Sequence, residues 1–162
     1  MGAKPKKTAQ PAERTVAQNR AASYNYHLLE KYEAGMVLVG TEVKALREGK
    51  ANLRDAYAVV RQNAVWLLNC HIAEYLPGGP FNHQPLRPRK LLMNQSEIFK
   101  LAAKTDHKGF TLVPLRIYFR NGIAKCELAL ARGKKQYDRR QAEREKEARR
   151  EASEAIYRYR RR

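Results

Sequence analysis

Cysteine is scarce in this sequence: Cys70 and Cys126 are the two in 162 residues, and the four histidines are scattered. No cysteine stands at a spacing from a histidine that is typical of a zinc site, and small disulfide-stabilised domains have more cysteines. Both cysteines lie in alternating apolar stretches, so we expect buried free thiols. The sequence predicts no metal site, no cofactor and no disulfide.

Long apolar segments and the signatures of common enzymes are also missing. No run of eighteen apolar residues is present, which argues against a membrane-spanning helix. Residues 1–17 lack the apolar segment of a signal peptide, so we expect a cytoplasmic protein. There is no phosphate-binding glycine loop, no GxSxG motif and no paired carboxylates at a telling spacing, so we expect no catalytic residue and no enzyme.

Acidic residues are few compared with basic ones. The chain has 33 Lys and Arg against 16 Asp and Glu, a net charge of +17 and a pI near 10.2. Such an imbalance indicates a polyanionic partner, which composition alone leaves as RNA, DNA or an anionic membrane. The plainer alternative is a domain with solvated basic ends.

The two ends of the chain differ from the middle in composition. Residues 1–18 are basic and show no apolar period, which predicts a disordered extension. Residues 132–162 carry +7 of the charge and lack proline throughout and glycine after Gly133. Good helix formers with few large apolar groups cannot form a core, so we expect a tail that is disordered alone and helical when bound to a polyanion.

The middle segment, 19–131, has the pattern of a small β domain. The expected strands are 36–46, 57–61, 65–72, 110–119 and 123–131, and the expected helices are a short one at 53–56 and a longer one that begins near Asn94 and ends before Gly109. Gln62-Asn63 and Asn121-Gly122 have the composition of tight hairpin turns. Short strands with few helices predict a mainly β, closed antiparallel barrel.

A proline-rich loop at 76–90 leads into the clearest candidate for nucleic-acid contact. Arg87, Arg89 and Lys90 are three cations in a stiff segment, which suits phosphate binding. Leu92 or Met93 could then pack against an unstacked base, and the Asn94 amide could bind a base edge.

Each of these residues also has an ordinary structural interpretation. Asn94 could simply cap the following helix, and Leu92 could belong to the core. Glu33 could lie in a turn, and Lys125 could be a solvated residue on the outer face of a strand. The residues alone do not decide between these alternatives.

Six motifs stand in a fixed order along the chain: NR at 19–20, YEAG at 32–35, GTEVKALREGKANL at 40–53, RPRKLLMN at 87–94, LVPL at 112–115 and RGKKQYDRR at 132–140. Together they closely resemble the small protein B family, the SsrA-binding proteins of bacterial trans-translation, over residues 19–162. The resemblance implies an oligonucleotide-binding-type β-barrel with short flanking helices. It also implies a monomer that binds the tRNA-like domain of transfer-messenger RNA and enters stalled ribosomes, with its tail in the empty mRNA channel near small-subunit ribosomal RNA.

The resemblance also assigns roles to individual residues. The contacts to transfer-messenger RNA fall on Glu33, Leu92, Asn94 and Lys125. The family's GKK segment includes Lys134 and Lys135, which we expect to bind RNA together with Tyr24. Its tail motif falls on Asp138, Arg139 and Arg140. Tyr24 stands where many members have histidine and keeps an aromatic platform, while Ile156 is the candidate apolar contact of the tail.

Two other functions remain as alternatives from the sequence. A general RNA-binding or constitutive ribosomal protein would share the basic charge, and it would associate with all ribosomes rather than stalled ones. An RNA-modifying enzyme would need a clustered acid, base or metal site, which the spacing does not indicate. We expect three segments: an extension at 1–18, an RNA-binding domain at 19–131 and a basic tail at 132–162.

Overall fold

The computed structural model describes residues 12–161. Within this range the strands are β1 (Glu13–Gln18), β2 (Tyr26–Met36), β3 (Ala51–Asn52), β4 (Tyr57–Arg61), β5 (Ala64–Leu68), β6 (His71–Ile72), β7 (Arg89–Leu92), β8 (Phe110–Arg120) and β9 (Ile123–Gly133). The α-helices are α1 (Ala22–Asn25), α2 (Gly40–Arg47), α3 (Gln95–Thr105) and α4 (Gln136–Arg160), and a 3-10 segment covers Leu76–Phe81.

Six strands close into a ring by antiparallel pairing, in the order β8, β4, β5, β7, β2, β9 and back to β8. The ring confirms the prediction of a mainly β, closed antiparallel fold. Two long strands, β8 and β9, pair along almost their whole length. The strand β7 is short and closes the ring between β5 and β2, where Gly35 pairs with Leu92 and Met36 with Leu91.

Two hairpin turns are where the sequence predicts them. Gln62 and Asn63 have φ values of 50° and 56°, and Asn121 and Gly122 have 52° and 75°. Consecutive positive φ angles are the mark of the type I′ turn, whose twist matches that of paired strands. These turns set the register of β4 with β5 and of β8 with β9.

The expected strand over 36–46 is wrong in its larger part, because 40–47 form the helix α2. Glu42, Ala45 and Leu46 are its buried residues, spaced as one face of a helix rather than as alternate strand positions. The backbone N–H of Val39 donates to the Glu42 carboxylate at 3.0 Å, which caps the first turn. The branched residues before Gly40 suggested a strand, and burial of the α2 face overrides that local preference.

The short helix expected at 53–56 is also absent from the part of the chain that the structure describes. Asn52 ends β3, and its side-chain oxygen accepts a hydrogen bond from the Arg54 N–H at 2.8 Å. This contact across two residues forms a turn instead of a helix cap.

The extension expected at 1–18 is not disordered in its last six residues. Residues 13–18 form β1, which pairs with 116–120 of β8. Ion pairs hold the strand, since Arg116 and Arg120 both contact Glu13. The expectation for 1–11 lies outside the described residues.

In the tail, residues 136–160 form one continuous helix, α4, which is the conformation expected of this segment when it is bound. Lys135 donates its backbone N–H to Asp138 at 3.3 Å, so the first turn is capped. Nearly all of α4 is exposed, which agrees with the prediction that this tail cannot form a core.

The core fills the ring with aliphatic side chains, among which Leu46, Leu67, Leu101, Leu112 and Leu128 are fully buried. Cys70 and Cys126 are free and buried, as the sequence predicts. Burial raises the pKa of Cys70 to about 11 and also raises that of Cys126, so both thiols stay protonated. No helix among residues 12–161 is both long enough and apolar enough to cross a membrane.

Candidate nucleic-acid interface

One shallow depression of about 400 Å³ brings together the four residues that the resemblance assigns to RNA contact. Its lining residues, which we call the Glu33 patch, are Glu33, Gly35, Leu92, Met93, Asn94, Glu97 and Lys125. The strand β2 lies between β7 and β9, so Gly35 pairs with Leu92 on one side and with Lys125 on the other. Ring closure therefore joins residues that are as far as 92 positions apart in sequence.

Leu92 and Asn94 present their side chains at this surface. Leu92 points outward and is 54% exposed, so it does not belong to the core. Asn94 stands at the N-cap position of α3, but its side chain makes no capping hydrogen bond. Met93, between them, packs against the core and anchors the segment. An exposed aliphatic group beside an uncommitted amide can contact a base face and a base edge.

The Glu33 carboxylate is held by three donors. Lys125 Nζ lies 2.7 Å from Oε1, Arg120 Nη1 lies 2.9 Å from Oε2, and the Tyr118 hydroxyl donates to the same carboxylate. Hydrogen bonds from Lys125 and Tyr118 lower the pKa of Glu33. Burial and the bond to Glu33 raise the pKa of Tyr118. The patch thus contains a fixed, ionised acceptor with two cations next to it.

The basic segment before Leu92 has three cations in three different environments. Lys90 is exposed on the outer face of β7. Arg87 is about one-third exposed and donates two hydrogen bonds to Glu42, from Nε at 3.1 Å and from Nη2 at 2.6 Å. Both Lys90 and the outer edge of Arg87 remain within reach of a surface phosphate.

The prediction that Arg89 contacts phosphate is wrong, because its side chain is fully buried. Its Nε donates to Glu42 at 2.9 Å, and its other nitrogens donate to the carbonyls of Cys70 and Pro85. Alternation along β7 turns Arg89 inward and Lys90 outward. The sequence suggested three equivalent cations because it does not reveal the buried partner.

Sequence reasoning missed three residues around the site: Glu42, Tyr118 and Arg120. The sequence does not reveal that Glu42 binds arginines, since its two arginine partners are 45 and 47 residues away. A signal for Tyr118 does exist, because the Asn121-Gly122 turn pairs Tyr118 with Lys125 across the hairpin. That register would have placed a hydroxyl next to the predicted lysine.

The remaining predicted residues form a second group at the root of the tail. Tyr24 donates its hydroxyl to Glu143 at 2.7 Å, and Lys134 Nζ donates to the carbonyl of Ser23 at 2.9 Å. Lys135 is the N-cap of α4, and Asp138 lies 3.5 Å from His27 Nε2. These contacts attach the first turns of the tail to α1 and to the start of β2.

The two groups lie at opposite ends of the same pair of strands. Tyr26 pairs with Gly133 at one end of β2 and β9, and Gly35 pairs with Lys125 at the other. Nine residues of extended chain span about 30 Å. The structure therefore joins Glu33, Leu92, Asn94 and Lys125 in one patch and keeps Tyr24, Lys134 and Lys135 apart from it.

The helix α4 extends from this second group and presents its charged side chains to solvent. Its 25 residues have a length of about 38 Å. Arg139 and Arg140 are exposed near its start, and Ile156 is 56% exposed near its end. Arg150 pairs with Glu154 at 3.1 Å along the helix surface. Among residues 12–161 no group of three or more His, Cys, Asp or Glu residues is arranged to bind a metal.

Comparison with known proteins identifies relatives of this chain. The family model described as SmpB protein matches residues 16–158. The SsrA-binding protein of Desulforudis audaxviator is 55% identical over 147 residues, which cover 91% of this chain and 96% of that protein. The SsrA-binding protein of Thermobifida fusca is 53% identical over 160 residues, which cover 99% of this chain and all of that protein.

Among solved structures, one described as "tmRNA-SmpB: a journey to the center of the bacterial ribosome" contains a similar chain. The TM-score is 0.63 at 48% identity, and the match covers 74% of this chain and 84% of the other. Both the family model and the relatives span nearly the full sequence, the ring and most of α4 included. This chain belongs to the SmpB protein family.

Proposed function

We propose that this chain binds transfer-messenger RNA through the Glu33 patch and carries it to stalled ribosomes for trans-translation. The observation that carries the proposal is that Glu33, Leu92, Asn94 and Lys125 come from distant parts of the sequence and meet in one depression. The family and its relatives named for SsrA binding supply the identity of the RNA. The chain acts in the cytoplasm as a monomeric binding factor and catalyses no reaction.

The chemistry of the Glu33 patch suits an unpaired base next to a phosphate. Leu92 offers an apolar surface for the base, and the Asn94 amide can both donate to and accept from a base edge. Glu33 accepts hydrogen bonds from base amino groups, whereas a phosphate has no proton to donate to this carboxylate. Lys125 and Lys90 neutralise the neighbouring backbone. Selectivity thus comes from Glu33 and Asn94, and most of the attraction comes from charge.

The tail has a separate role in this proposal. With Tyr24, Lys134 and Lys135 at its root, α4 projects about 38 Å of basic surface from the end of the ring remote from the Glu33 patch. The ring binds transfer-messenger RNA while Asp138, Arg139, Arg140 and Ile156 contact ribosomal RNA along the empty mRNA channel. A helix with this charge is stabilised further by the polyanion around it.

The test is a binding titration of full-length variants with transfer-messenger RNA. Leu92→Ala and Asn94→Ala are each expected to weaken binding by about 1–3 kcal/mol. Leu86→Ala is the matched control, because Leu86 is 57% exposed and lies outside the patch. Equal affinity of all three variants and the native chain would reject the patch as the binding site.

A general RNA-binding protein is the second candidate, and the charge of +17 is the observation that favours it. The same titration with a length-matched unstructured RNA at physiological salt separates the two. A specific factor prefers transfer-messenger RNA, whereas a general binder has the same affinity for both RNAs.

A further inference from the structure

The outer face of three neighbouring strands, β4, β5 and β7, carries an aromatic residue between two cations. Trp66 lies in the middle strand, opposite Val59 on β4 and opposite Lys90 on β7. Trp66 is half-buried, so part of its ring faces solvent. The core face of the same strands is formed by the alternate positions, such as Ala58, Leu67 and Leu91.

A depression of about 580 Å³ opens beside the indole ring of Trp66. Its lining residues are Arg61, Gln62, Trp66, Leu68 and Pro88. The floor is therefore aromatic and aliphatic, and Arg61 is an exposed cation at the rim. An apolar floor with a cationic rim suits a flat apolar group attached to a negatively charged backbone.

Charge along this face has one sign. Arg61 and Lys90 are both exposed, and the sequences of β4, β5 and β7 contain no acidic residue. Arg87, also partly exposed, precedes Pro88 in the adjoining loop. A protein partner would gain little binding free energy from so small an apolar area. A nucleic-acid strand would gain binding free energy both from stacking on the aromatic ring and from the positive charge.

This face is continuous with the Glu33 patch. Lys90 and Leu92 point outward from the same strand, about 7 Å apart. Because Trp66 pairs with Lys90, Leu92 is its diagonal neighbour, within reach of one nucleotide step. A strand of RNA that packs on Leu92 can therefore continue over Lys90 to Trp66.

We infer that Trp66 stacks against an unpaired base of the same RNA molecule that occupies the Glu33 patch, with Arg61 and Lys90 binding the phosphates on either side. The inference rests on the proposed function for the identity of that RNA. It extends the RNA-binding surface from one depression to two, joined along β7. The contact of Trp66 does not depend on the identity of the base, since every base offers a face for stacking.

Trp66 is the one tryptophan of the chain, so its fluorescence reports on this contact directly. The experiment titrates the native full-length chain with transfer-messenger RNA and records tryptophan fluorescence and a gel shift on the same samples. Stacking is expected to quench the fluorescence over the concentration range of the gel shift. Trp66→Leu is expected to weaken binding roughly 5- to 150-fold, while Trp66→Phe keeps a stacking ring and stays within about 5-fold of the native chain.

Phe81→Leu is the matched control, because Phe81 is an exposed aromatic residue outside both depressions, and its binding is expected to be unchanged. A normal gel shift with no quenching, together with normal binding by Trp66→Leu, would overturn this inference and leave the proposed function intact. Absence of any gel shift with the native chain would overturn the proposed function, and this inference with it.

Discussion

Glu42 and Arg89 form a fully buried ion pair in which Arg89 Nε lies 2.9 Å from Glu42 Oε1. The pair connects α2 to β7, the short strand that closes the ring. A slip of β7 by one residue would expose Arg89 and bury Leu92, because successive side chains on a strand face opposite sides. The pair therefore sets which residues of β7 reach the Glu33 patch, although Glu42 itself lies in the interior.

The first prediction concerns the stability of this pair. Glu42→Gln leaves Arg89 buried without a counter-charge and is expected to lower the free energy of unfolding by about 3–5 kcal/mol. Glu48→Gln is the control, because Glu48 pairs with Lys50 at 2.9 Å on the exposed surface, and its loss is expected to cost at most about 1 kcal/mol. Urea unfolding followed by circular dichroism measures both, and equal values for the two variants would contradict this account.

The second prediction is the response of stability to acid. Burial alone would raise the pKa of Glu42, but hydrogen bonds from Arg87 and the Val39 N–H together with the Arg89 charge lower it below its ordinary 4.5. Glu33 also has a lowered pKa, from Lys125 and Tyr118. A carboxyl group whose pKa is lower in the folded chain than in the unfolded chain stabilises the fold at pH values above its unfolded pKa. This stabilisation is lost as the pH falls through its folded pKa.

Stability should therefore be constant above about pH 5 and fall steadily below it. Urea midpoints at a series of pH values give the curve. The Glu42→Gln variant should be less stable at neutral pH and should lose less on acidification, since one titrating carboxyl is gone. Parallel curves for the native chain and this variant would mean that Glu42 does not titrate with unfolding.

The third prediction concerns the contribution of the exposed Lys90 to RNA binding. Lys90→Gln is expected to reduce the slope of log affinity against log salt by about one, because one phosphate contact is lost. Lys108→Gln removes an exposed cation from the turn between α3 and β8, away from β7 and from both depressions, and serves as control, with no expected change of slope. An unchanged slope for Lys90→Gln would remove this residue from the interface.

The fourth prediction concerns the tail. A chain that ends at Gly133 keeps all of β9, so it should retain the ring and bind transfer-messenger RNA nearly as well as the full chain. It should fail to support tagging of nascent chains on stalled ribosomes, because α4 is missing. Normal tagging by the shortened chain would mean that the tail is only a solvated extension.

Within the tail, Asp138 must be left in place, since it caps the first turn and its loss would confound the result. Arg139→Ala with Arg140→Ala removes two exposed charges, and alanine preserves helix propensity. Arg149→Ala with Arg150→Ala is a charge-matched pair further along α4. If tagging depends on the tail motif, the first double variant should lose more activity than the second.

Local sequence patterns correctly predicted the elements whose conformation depends on neighbouring residues. The Gln62-Asn63 and Asn121-Gly122 turns, most of the strands that they join and the helix after Asn94 follow from turn chemistry and apolar period. The strand expected over 65–72 is wrong in its second part, because it ends at Leu68 and the separate strand β6 pairs with β3. The motifs also identified the family. The patch residues Glu33, Leu92, Asn94 and Lys125 came from that resemblance, while their own local patterns left them ambiguous.

Tertiary structure decided whatever depends on distant partners. Residues 40–47 became a helix because Glu42, Ala45 and Leu46 are buried on one face, and residues 13–18 became a strand because β8 offered an open edge. Arg89 turned inward and Lys90 outward because the buried carboxylate that pairs with Arg89, that of Glu42, is 47 residues earlier in the sequence. By itself, the sequence determined the kinds of residues, the tight turns and the segments with a clear apolar period. Ring closure determined which of them share a surface, because long-range pairing and burial are properties of the folded chain.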